Sequence, residues 1–461
     1  DALPILNKLF STVNSAGVQL EQTDIVKANL LNLIDEKVKY GKIWEACENM
    51  NNFFERNVRL SFPSTDWNIV DFKKYYEFDG SIFRYESTNK NGINSDDTLI
   101  IIEDVNMNDI SDYQHPTKNI LGEKDRKSEE IYCRSIINFG QLLIHTYRLH
   151  LYIEGKEDFE GTFHVNRLIE IFNSLEARKD PNEIKRFFQL LWKVRYLFDK
   201  YVIKWITDID NKTESLELVN FNKNDKGYYS RTKYAKSNSS MLQSVLYFTG
   251  DYLRQYWLTT YLGYLLKNHS DSDATNEIHL IKLEEFDNQF SLNDKLTDKD
   301  LSYLLLDKEA TVDKTINIRT YLELNKGTAF KHYWFQKLEY ILWKNWDSTI
   351  NTQEYNNYRI TSRNSVEHIY PQNPENQIQH PQIEDEYLHS FGNLVLLSVA
   401  QNSEYSNKSF RVKKSMFRDR RETYDTLKSY YIFQNDNWNK IEIIKHLETM
   451  ISKIEEHYDA K

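Results

Sequence analysis

The stretch that decides the fold runs from Ser365 to Phe410 and contains two motifs, SVEHIYPQ at 365–372 and FGNLVLLSVAQNSEYSNKSF at 391–410. In the first motif, Pro371 ends a short run with strand character, because proline cannot donate a hydrogen bond within a sheet. In the second motif, a glycine permits a tight turn ahead of the apolar segment NLVLL, which is typical of a short buried strand. The residues from Val399 to Phe417 favour a helix. The stretch therefore predicts the order strand, loop, strand, helix.

Three side chains of this stretch suit the hydrolysis of a phosphodiester. Such a bond is a poor electrophile, so a hydrolase needs a base that activates water and a cation that stabilises the departing oxygen. His368 can be the base. Mg²⁺ prefers hard oxygen ligands and keeps several waters, so the carboxylate of Glu367 and the amide oxygen of Asn402 are a sufficient protein contribution.

The position of Glu367 directly before His368 puts a condition on this site. Neighbouring side chains of a regular strand point to opposite faces of the sheet. Because the two cannot both face one ligand from a regular strand, we expect the ribbon to be twisted or bulged here. The alternative is that His368 is an ordinary surface or hydrogen-bonded histidine, which is the commoner role of a histidine beside a glutamate. The order and spacing of the motifs favour the active site.

The pieces EHIYPQ, FGNLVLL and NSEYSNKSF, the last followed by two neighbouring lysines, resemble the HNH, or ββα-metal, nuclease superfamily. The branch they resemble most is the C-terminal nuclease domain of GmrSD-type modification-dependent restriction enzymes. This resemblance implies an endonuclease that depends on Mg²⁺ or Mn²⁺ and nicks or cuts DNA in a bacterial anti-phage restriction system. It also implies products with 5′-phosphate and 3′-hydroxyl ends.

The same resemblance implies a role for each motif residue. Glu367 and Asn402 would be metal ligands, and His368 would be the general base. Asn393 would hold the imidazole in orientation, and Asn407 is a weaker candidate for a contact with the metal or a phosphate. Glutamate in place of the commoner aspartate, and asparagine in place of the final histidine, both occur within the superfamily.

A basic cluster follows the site in the segment KSFRVKKSMFRDRR. Its cationic residues are Lys408, Arg411, Lys413, Lys414, Arg418, Arg420 and Arg421. The formal net charge of −10 argues against a broadly basic DNA-binding surface, so any DNA contact has to be local. We expect the cluster to contact DNA phosphates. The alternative is a solvated helix face.

The composition favours a large, mainly α-helical protein. The chain has 461 residues, of which 40% are hydrophobic, and it contains only 13 glycines and 7 prolines. No apolar stretch approaches the roughly 20 residues that cross a bilayer, and no signal-like N-terminus is present, so we expect a cytoplasmic protein without membrane contact. Cys47 and Cys133 are far apart and are expected to be ordinary buried thiols.

We expect three regions: residues 1–45, 46–300 and 301–461. The first resembles the closing segment of the ParB-like N-terminal domain that precedes this nuclease in single-chain GmrSD enzymes. In that family the N-terminal domain carries a DGQQR-type motif associated with nucleotide hydrolysis and with sensing modified DNA, and no such motif occurs here. The chain is therefore expected to be the C-terminal part of a longer protein, whose N-terminal domain would be a partner. The middle region is expected to be a helical scaffold and the last a helical domain that carries the small ββα motif.

Apolar periodicity predicts several long helices. These are Ile131–Tyr152, Ile184–Trp205, Met241–Leu266 and Tyr333–Trp346, with a further helix capped by Thr23 or Asp24. Composition predicts loops at Ser87–Asp97 and Asn220–Gly227 and a short strand at Thr98–Ile102. The chain has many aromatic residues, and their helical spacing favours a role in the core over a base-stacking platform. His145 and His150 are expected to be structural.

Two other functions stay open at this point. The chain could be a helical module that binds DNA or a protein and carries an inactive nuclease-like domain. The target could also be RNA, because A-form and B-form backbones both reach a shallow ββα site. Recognition of modified phage DNA or phosphorothioate DNA is implied only by the resemblance, and cutting both strands would usually require a homodimer or two successive nicks.

Overall fold

The computed structural model describes residues 21–85 and 132–459, apart from short interruptions at 69, 71, 209–212, 224–228, 270–272, 311, 348, 351, 376–377, 379–380 and 421. The fold within these ranges is mainly α-helical, as predicted. The α-helices are α1 (Gln22–Asn32), α2 (Lys37–Glu48), α3 (Phe54–Ser61), α4 (Phe139–Ile153), α5 (Leu168–Arg178), α6 (Pro181–Tyr201), α7 (Asn238–Thr249), α8 (Trp257–Asn268), α9 (Glu277–Ser291), α10 (Asp298–Leu304), α11 (Ile318–Leu322), α12 (His332–Lys344), α13 (Gln353–Asn357), α14 (Asp385–Leu388), α15 (Val399–Tyr405), α16 (Phe410–Asp419), α17 (Leu427–Phe433) and α18 (Lys440–Asp459).

The strands of the described residues form three small antiparallel sheets. The strands are β1 (Tyr132–Ser135), β2 (Lys204–Asp208), β3 (Thr213–Glu217), β4 (Val219–Lys223), β5 (Tyr229–Lys233), β6 (Ser365–His368) and β7 (Leu394–Leu397). The sheet orders are β1-β2-β3, β4-β5 and β6-β7. The last of these hairpins carries the predicted site residues.

Helix α6 is the centre of the middle region. Pro181 occupies its first turn, and the Asp180 side chain accepts a hydrogen bond from the backbone N–H of Asn182, which fixes the start of the helix. The helix packs against α2, α4 and α8. Phe187, Trp192 and the other aromatic residues of its central turns are buried, so this aromatic run belongs to the core, as predicted.

Three predicted helices differ from the structure. The segment predicted as Met241–Leu266 is two helices, α7 and α8, with Gly250 capping the first. The segments predicted as Ile131–Tyr152 and Ile184–Trp205 each combine a helix with a strand. The apolar periodicity continues across both junctions. In the first segment, the capping box of Asn138 starts α4 after β1. In the second, the chain after Tyr201 forms β2, whose β-branched residues favour a strand and which pairs with β1 and β3.

Other local expectations have mixed outcomes. Helix α1 begins at Gln22 and its N-cap is Glu21, so the predicted cap at Thr23 or Asp24 is wrong. The predicted loop at Asn220–Gly227 begins instead as strand β4, whose alternating sequence pairs with β5. The loop at Ser87–Asp97 and the strand at Thr98–Ile102 lie outside the described residues.

The isolated histidines and cysteines are placed much as expected. His145 and His150 are buried and bind Thr259 and Glu183, so both are structural. Cys47 is buried and Cys133 partly buried, and burial raises the pKa of both thiols. Within the described ranges, every helix is too short or too polar to cross a bilayer.

Helix α12 joins the hairpin to the middle region. It packs against α7 on one side and against β7, α17 and α18 on the others. The Lys337 ammonium donates to the Asp287 carboxylate of α9 at 2.5 Å, and both side chains are buried. One continuous cluster of buried apolar side chains contains residues of both regions. The proposed boundaries at 45 and 300 stay predictions.

Buried polar groups fix the hairpin on this support. Glu339 of α12 accepts hydrogen bonds from the backbone N–H groups of Leu427 and Lys428, at 2.5 and 3.1 Å, and so caps α17. The Lys428 ammonium in turn donates to the backbone carbonyls of Phe391 and Leu394. These bonds hold the start of β7 against the helical layer.

Candidate functional site

The hairpin of β6 and β7 has a regular register. Its four residue pairs match one to one, from Ser365 with Leu397 to His368 with Leu394. The predicted order of strand, loop, strand and helix is confirmed, with a 3₁₀ turn at Phe391–Asn393 before β7. The paired residues contain no bulge, so the bulged form of the predicted ribbon is not found. His368 is instead the last residue of its strand.

Glu367 and His368 contact different partners, as the alternation of a regular strand requires. The Glu367 carboxylate accepts a hydrogen bond from the Lys413 ammonium at 2.5 Å. The His368 ring lies against His389, with 3.1 Å between His368 Nε2 and His389 Nδ1. The metal-ligand candidate and the base candidate therefore occupy opposite faces of one strand end.

The Glu367–Lys413 pair is buried. Glu367 is 8% exposed and Lys413 is fully buried, and the ammonium also donates to the backbone carbonyl of His368 at 2.7 Å. Burial raises the pKa of Glu367 and lowers the pKa of Lys413, because a low-dielectric environment disfavours both charges. The pair holds α16 against β6 at the residue before the candidate base.

Asn402 lies on the same face of the hairpin as Glu367. Its side-chain N–H donates to the Ser365 hydroxyl at 2.6 Å, and Ser365 is two residues before Glu367 on β6. The Ser398 side chain starts the helix of Asn402 with a capping box. With its N–H used in this way, the amide can offer its carbonyl oxygen as a ligand.

His368 is buried and its pKa is lowered to about 4 by burial and by the neighbouring His389 and Lys413. At neutral pH the imidazole is therefore uncharged and has a free lone pair, but the lowered pKa also makes it a weaker base than an ordinary imidazole. The sequence analysis did not identify His389 as a partner. The available signal was a second histidine four residues ahead of Asn393 in the motif HSFGN.

Asn393 is fully buried and its amide bonds to backbone and to an indole. The oxygen accepts from the Tyr370 N–H at 2.8 Å and from Trp438 Nε1 at 2.9 Å. The amide N–H groups donate to the carbonyls of Tyr370 and Leu388. The expectation that Asn393 orients the imidazole directly is corrected, because its hydrogen bonds go to the loop after His368.

Some residues of the basic cluster are exposed, and others hydrogen bond or form ion pairs within the protein. Arg411 and Arg418 are exposed. They are seven residues apart, so they lie on the same face of α16. Lys408 donates to the Glu404 carbonyl and Lys414 to the Asn435 carbonyl. Arg421 lies outside the described residues.

Three members of the cluster have acidic partners, one of which is the loose pair of Lys414 with the exposed Asp436 at 3.7 Å. Lys413 is buried against Glu367, and Arg420 binds Glu404 and Asp425. The expectation that Lys413 is exposed to DNA phosphates is therefore corrected, because its ammonium is buried against Glu367. Asn407 is exposed in the turn between α15 and α16.

The oxygen donors here are of the type that a hard divalent cation takes, but the Glu367 carboxylate holds the Lys413 ammonium in this structure. Among the described residues, no group of three or more histidine, cysteine or carboxylate side chains is arranged to hold a metal ion. The local set is smaller: one carboxylate, Glu367, and one amide, Asn402, on one face of the hairpin. Mg²⁺ accepts such a set because it keeps several waters.

Comparison with known families agrees with this location. Residues 315–453 match the family described as GmrSD restriction endonucleases, C-terminal domain. The matched segment contains the hairpin of β6 and β7, the asparagines at 393, 402 and 407, and helix α16. No curated protein matches the chain. Residues 315–453 are therefore a GmrSD-type C-terminal region, of the kind found in restriction endonucleases.

Proposed function

We propose that this protein is a metal-dependent HNH-type endonuclease that cleaves DNA in an anti-phage restriction system. The observation that carries the proposal is that Glu367, His368 and Asn402 all lie on one hairpin and the helix after it, inside the segment that matches the GmrSD C-terminal domain. Its substrate would be modified phage DNA or phosphorothioate DNA. A ParB-like nucleotide-hydrolysing domain and a second copy of the chain would be its partners.

His368 is the general base of this reaction. Its uncharged imidazole accepts the proton of a water that attacks the scissile phosphate, and the loop after it is held by Asn393. Glu367 and Asn402 would hold Mg²⁺ or Mn²⁺, which supplies the positive charge that stabilises the leaving 3′ oxygen. Glu367 and His368 point to opposite faces of β6, so both reach one phosphate only if the backbone turns at the end of the strand, where His368 is the last paired residue.

Metal removal tests this proposal. We expect the protein to convert supercoiled plasmid to nicked or linear DNA with Mg²⁺ or Mn²⁺, to lose this activity with EDTA, and to regain it when excess metal is restored. The products should carry 5′-phosphate ends. Parallel reactions on unmodified DNA, glucosylated hydroxymethylcytosine DNA, phosphorothioate DNA and RNA at equal salt identify the substrate. Cleavage that persists in EDTA, or DNA binding without cleavage of any substrate, would contradict the proposal, and the second result would favour the inactive binding module.

The exposed arginines of α16 are expected to contact phosphates. The double substitution Arg411→Ala/Arg418→Ala should weaken DNA binding and lower the slope of log K against log salt by about 2, because about one counterion is released for each phosphate contact. The measurement is a salt titration of binding to a labelled duplex. The matched control is Lys295→Ala/Lys308→Ala, which removes the same charge from exposed positions on other segments. Equal slopes for both double variants would place the DNA path elsewhere.

A further inference from the structure

The contact between His368 and His389 is a defined arrangement of two rings. His368 Nε2 and His389 Nδ1 are 3.1 Å apart, and the ring planes are inclined at 78°. His368 lies at the end of β6, and His389 follows α14, so 21 residues separate the two along the chain. Among the described side chains, His389 is the one that hydrogen bonds to the His368 ring.

The backbone of His389 is fixed at both of its polar groups. Its N–H donates to the Asp385 carbonyl at 2.9 Å, and its carbonyl accepts from the Gly327 N–H at 3.1 Å. A ring on an anchored backbone loses little further freedom when it binds a partner, so it can hold that partner in one orientation.

Gly327 leaves room for the His389 ring. Its φ of +53° lies in the left-handed region that favours glycine. A Cβ atom built at this position would lie 3.0 Å from His389 Nδ1, the atom that faces His368. The ring of His389 therefore sits between a close-packed backbone and the candidate base.

The two rings can share only one proton at their contact. A neutral imidazole has one N–H and one lone pair, so one nitrogen of the contact donates and the other accepts. The bond also decides the state of the far nitrogen of each ring. If His368 Nε2–H donates, then His368 Nδ1 carries the lone pair that a base needs.

We propose that His389 is a positioning residue that fixes the ring orientation and the tautomer of His368. This inference rests on the proposed function, in which His368 accepts the proton of the attacking water. Asn393 does not fill this role, because its amide bonds to Tyr370, Leu388 and Trp438. Lys413 donates to the backbone carbonyl of His368 and not to its ring, whereas His389 bonds to the ring itself.

The kinetic test compares two substitutions at one position. His389→Leu removes the hydrogen bond and should lower kcat by about 10- to 100-fold, the usual effect of removing the partner that orients a functional side chain. KM for DNA should change little, because the proposed role of His389 acts through the His368 ring. His389→Asn keeps a polar atom near the position of Nδ1 and should recover most of the loss. His332→Leu, at a partly exposed histidine that starts α12, is the control and should cleave at the wild-type rate.

The spectroscopic test needs no cleavage. In metal-free protein labelled with ¹⁵N-histidine, the His368 ring nitrogens should report one tautomer in the wild type and a mixture in His389→Leu. Gly327→Ala provides a second variant that keeps His389 but crowds its Nδ1, and it should change the same signals. The His368 signals are assigned by their loss in His368→Ala.

The outcomes separate the two proposals. Unchanged His368 signals in both His389→Leu and Gly327→Ala would overturn the positioning role, whether or not DNA is cleaved. Changed signals with an unchanged kcat in His389→Leu would also overturn it, because the contact would then have no effect on the reaction. A wild-type protein with the expected signals but no cleavage of any substrate would overturn the proposed function and leave the ring contact established.

Discussion

Replacing His368 by alanine is expected to lower the cleavage rate by about 10² to 10⁴-fold, the usual contribution of a positioned general base. The substitution removes the uncharged ring at the end of β6 and leaves Glu367, Asn402 and the exposed arginines in place. DNA affinity and metal affinity should therefore stay close to those of the wild type. The measurement is the initial rate of plasmid nicking at saturating Mg²⁺, together with binding of the same DNA in Ca²⁺ or EDTA.

The control for this variant is His332→Ala. His332 is a partly exposed histidine at the start of α12, which packs behind the hairpin, so its loss tests for a general effect of removing an imidazole from this region. Cleavage by His368→Ala at the wild-type rate would show that His368 is not the base. A rate lowered equally in both variants would instead indicate loss of folded protein, which thermal unfolding would show.

The sequence predicted the hairpin well because its signals are local. The motif around Glu367 and His368 ends at a proline, and the apolar run at 394–397 has the length of one buried strand. The helix after it was predicted as one segment, Val399–Phe417, whereas the structure has α15 and α16. Ser406, with a φ of 43°, stands at the break between them, and no residue there signals a left-handed conformation as a glycine would.

The partners of the site residues could not be predicted in the same way. His389 reaches His368 only because the chain returns through α14 before β7, and this return depends on long-range packing. For Lys413 a local signal did exist. Phe410, Lys413 and Phe417 lie three and four residues apart and share the buried face of α16, whereas Arg411 and Arg418 share the exposed face. Helical periodicity therefore separates the buried lysine from the exposed cations.

The second large effect is expected from Lys413→Met. This substitution leaves the Glu367 carboxylate buried without its ammonium partner, and breaking a buried ion pair in this way typically costs about 3 to 5 kcal/mol of unfolding free energy. Removing both charges avoids that penalty, so Glu367→Leu/Lys413→Met should be more stable than Lys413→Met alone. Urea unfolding of the two variants and the wild type measures the difference.

The matched control for stability is Lys414→Met, one residue further along α16. Lys414 is partly exposed. Its ammonium donates to the backbone carbonyl of Asn435 and lies 3.7 Å from the carboxylate of the fully exposed Asp436. Its loss should cost about 1 to 2 kcal/mol, less than the loss of Lys413, because it ends one hydrogen bond to the neutral Asn435 carbonyl and leaves no charge buried. A Lys413→Met protein as stable as Lys414→Met would show that the buried pair is not formed in solution.

Lys413→Met also tests whether the Lys413 ammonium contacts DNA phosphates. If Lys413 is held by Glu367, then folded Lys413→Met should bind DNA with the wild-type salt dependence, whereas Arg411→Ala/Arg418→Ala should lower the slope. If Lys413 contacts a phosphate instead, then Lys413→Met should have a lower salt slope than the wild type. The distinction matters for the site, because an ammonium that stays on Glu367 occupies the carboxylate that is the candidate metal ligand. An ammonium that moves to a phosphate would leave both oxygens of Glu367 free for the proposed metal ion, so DNA binding would then strengthen metal binding.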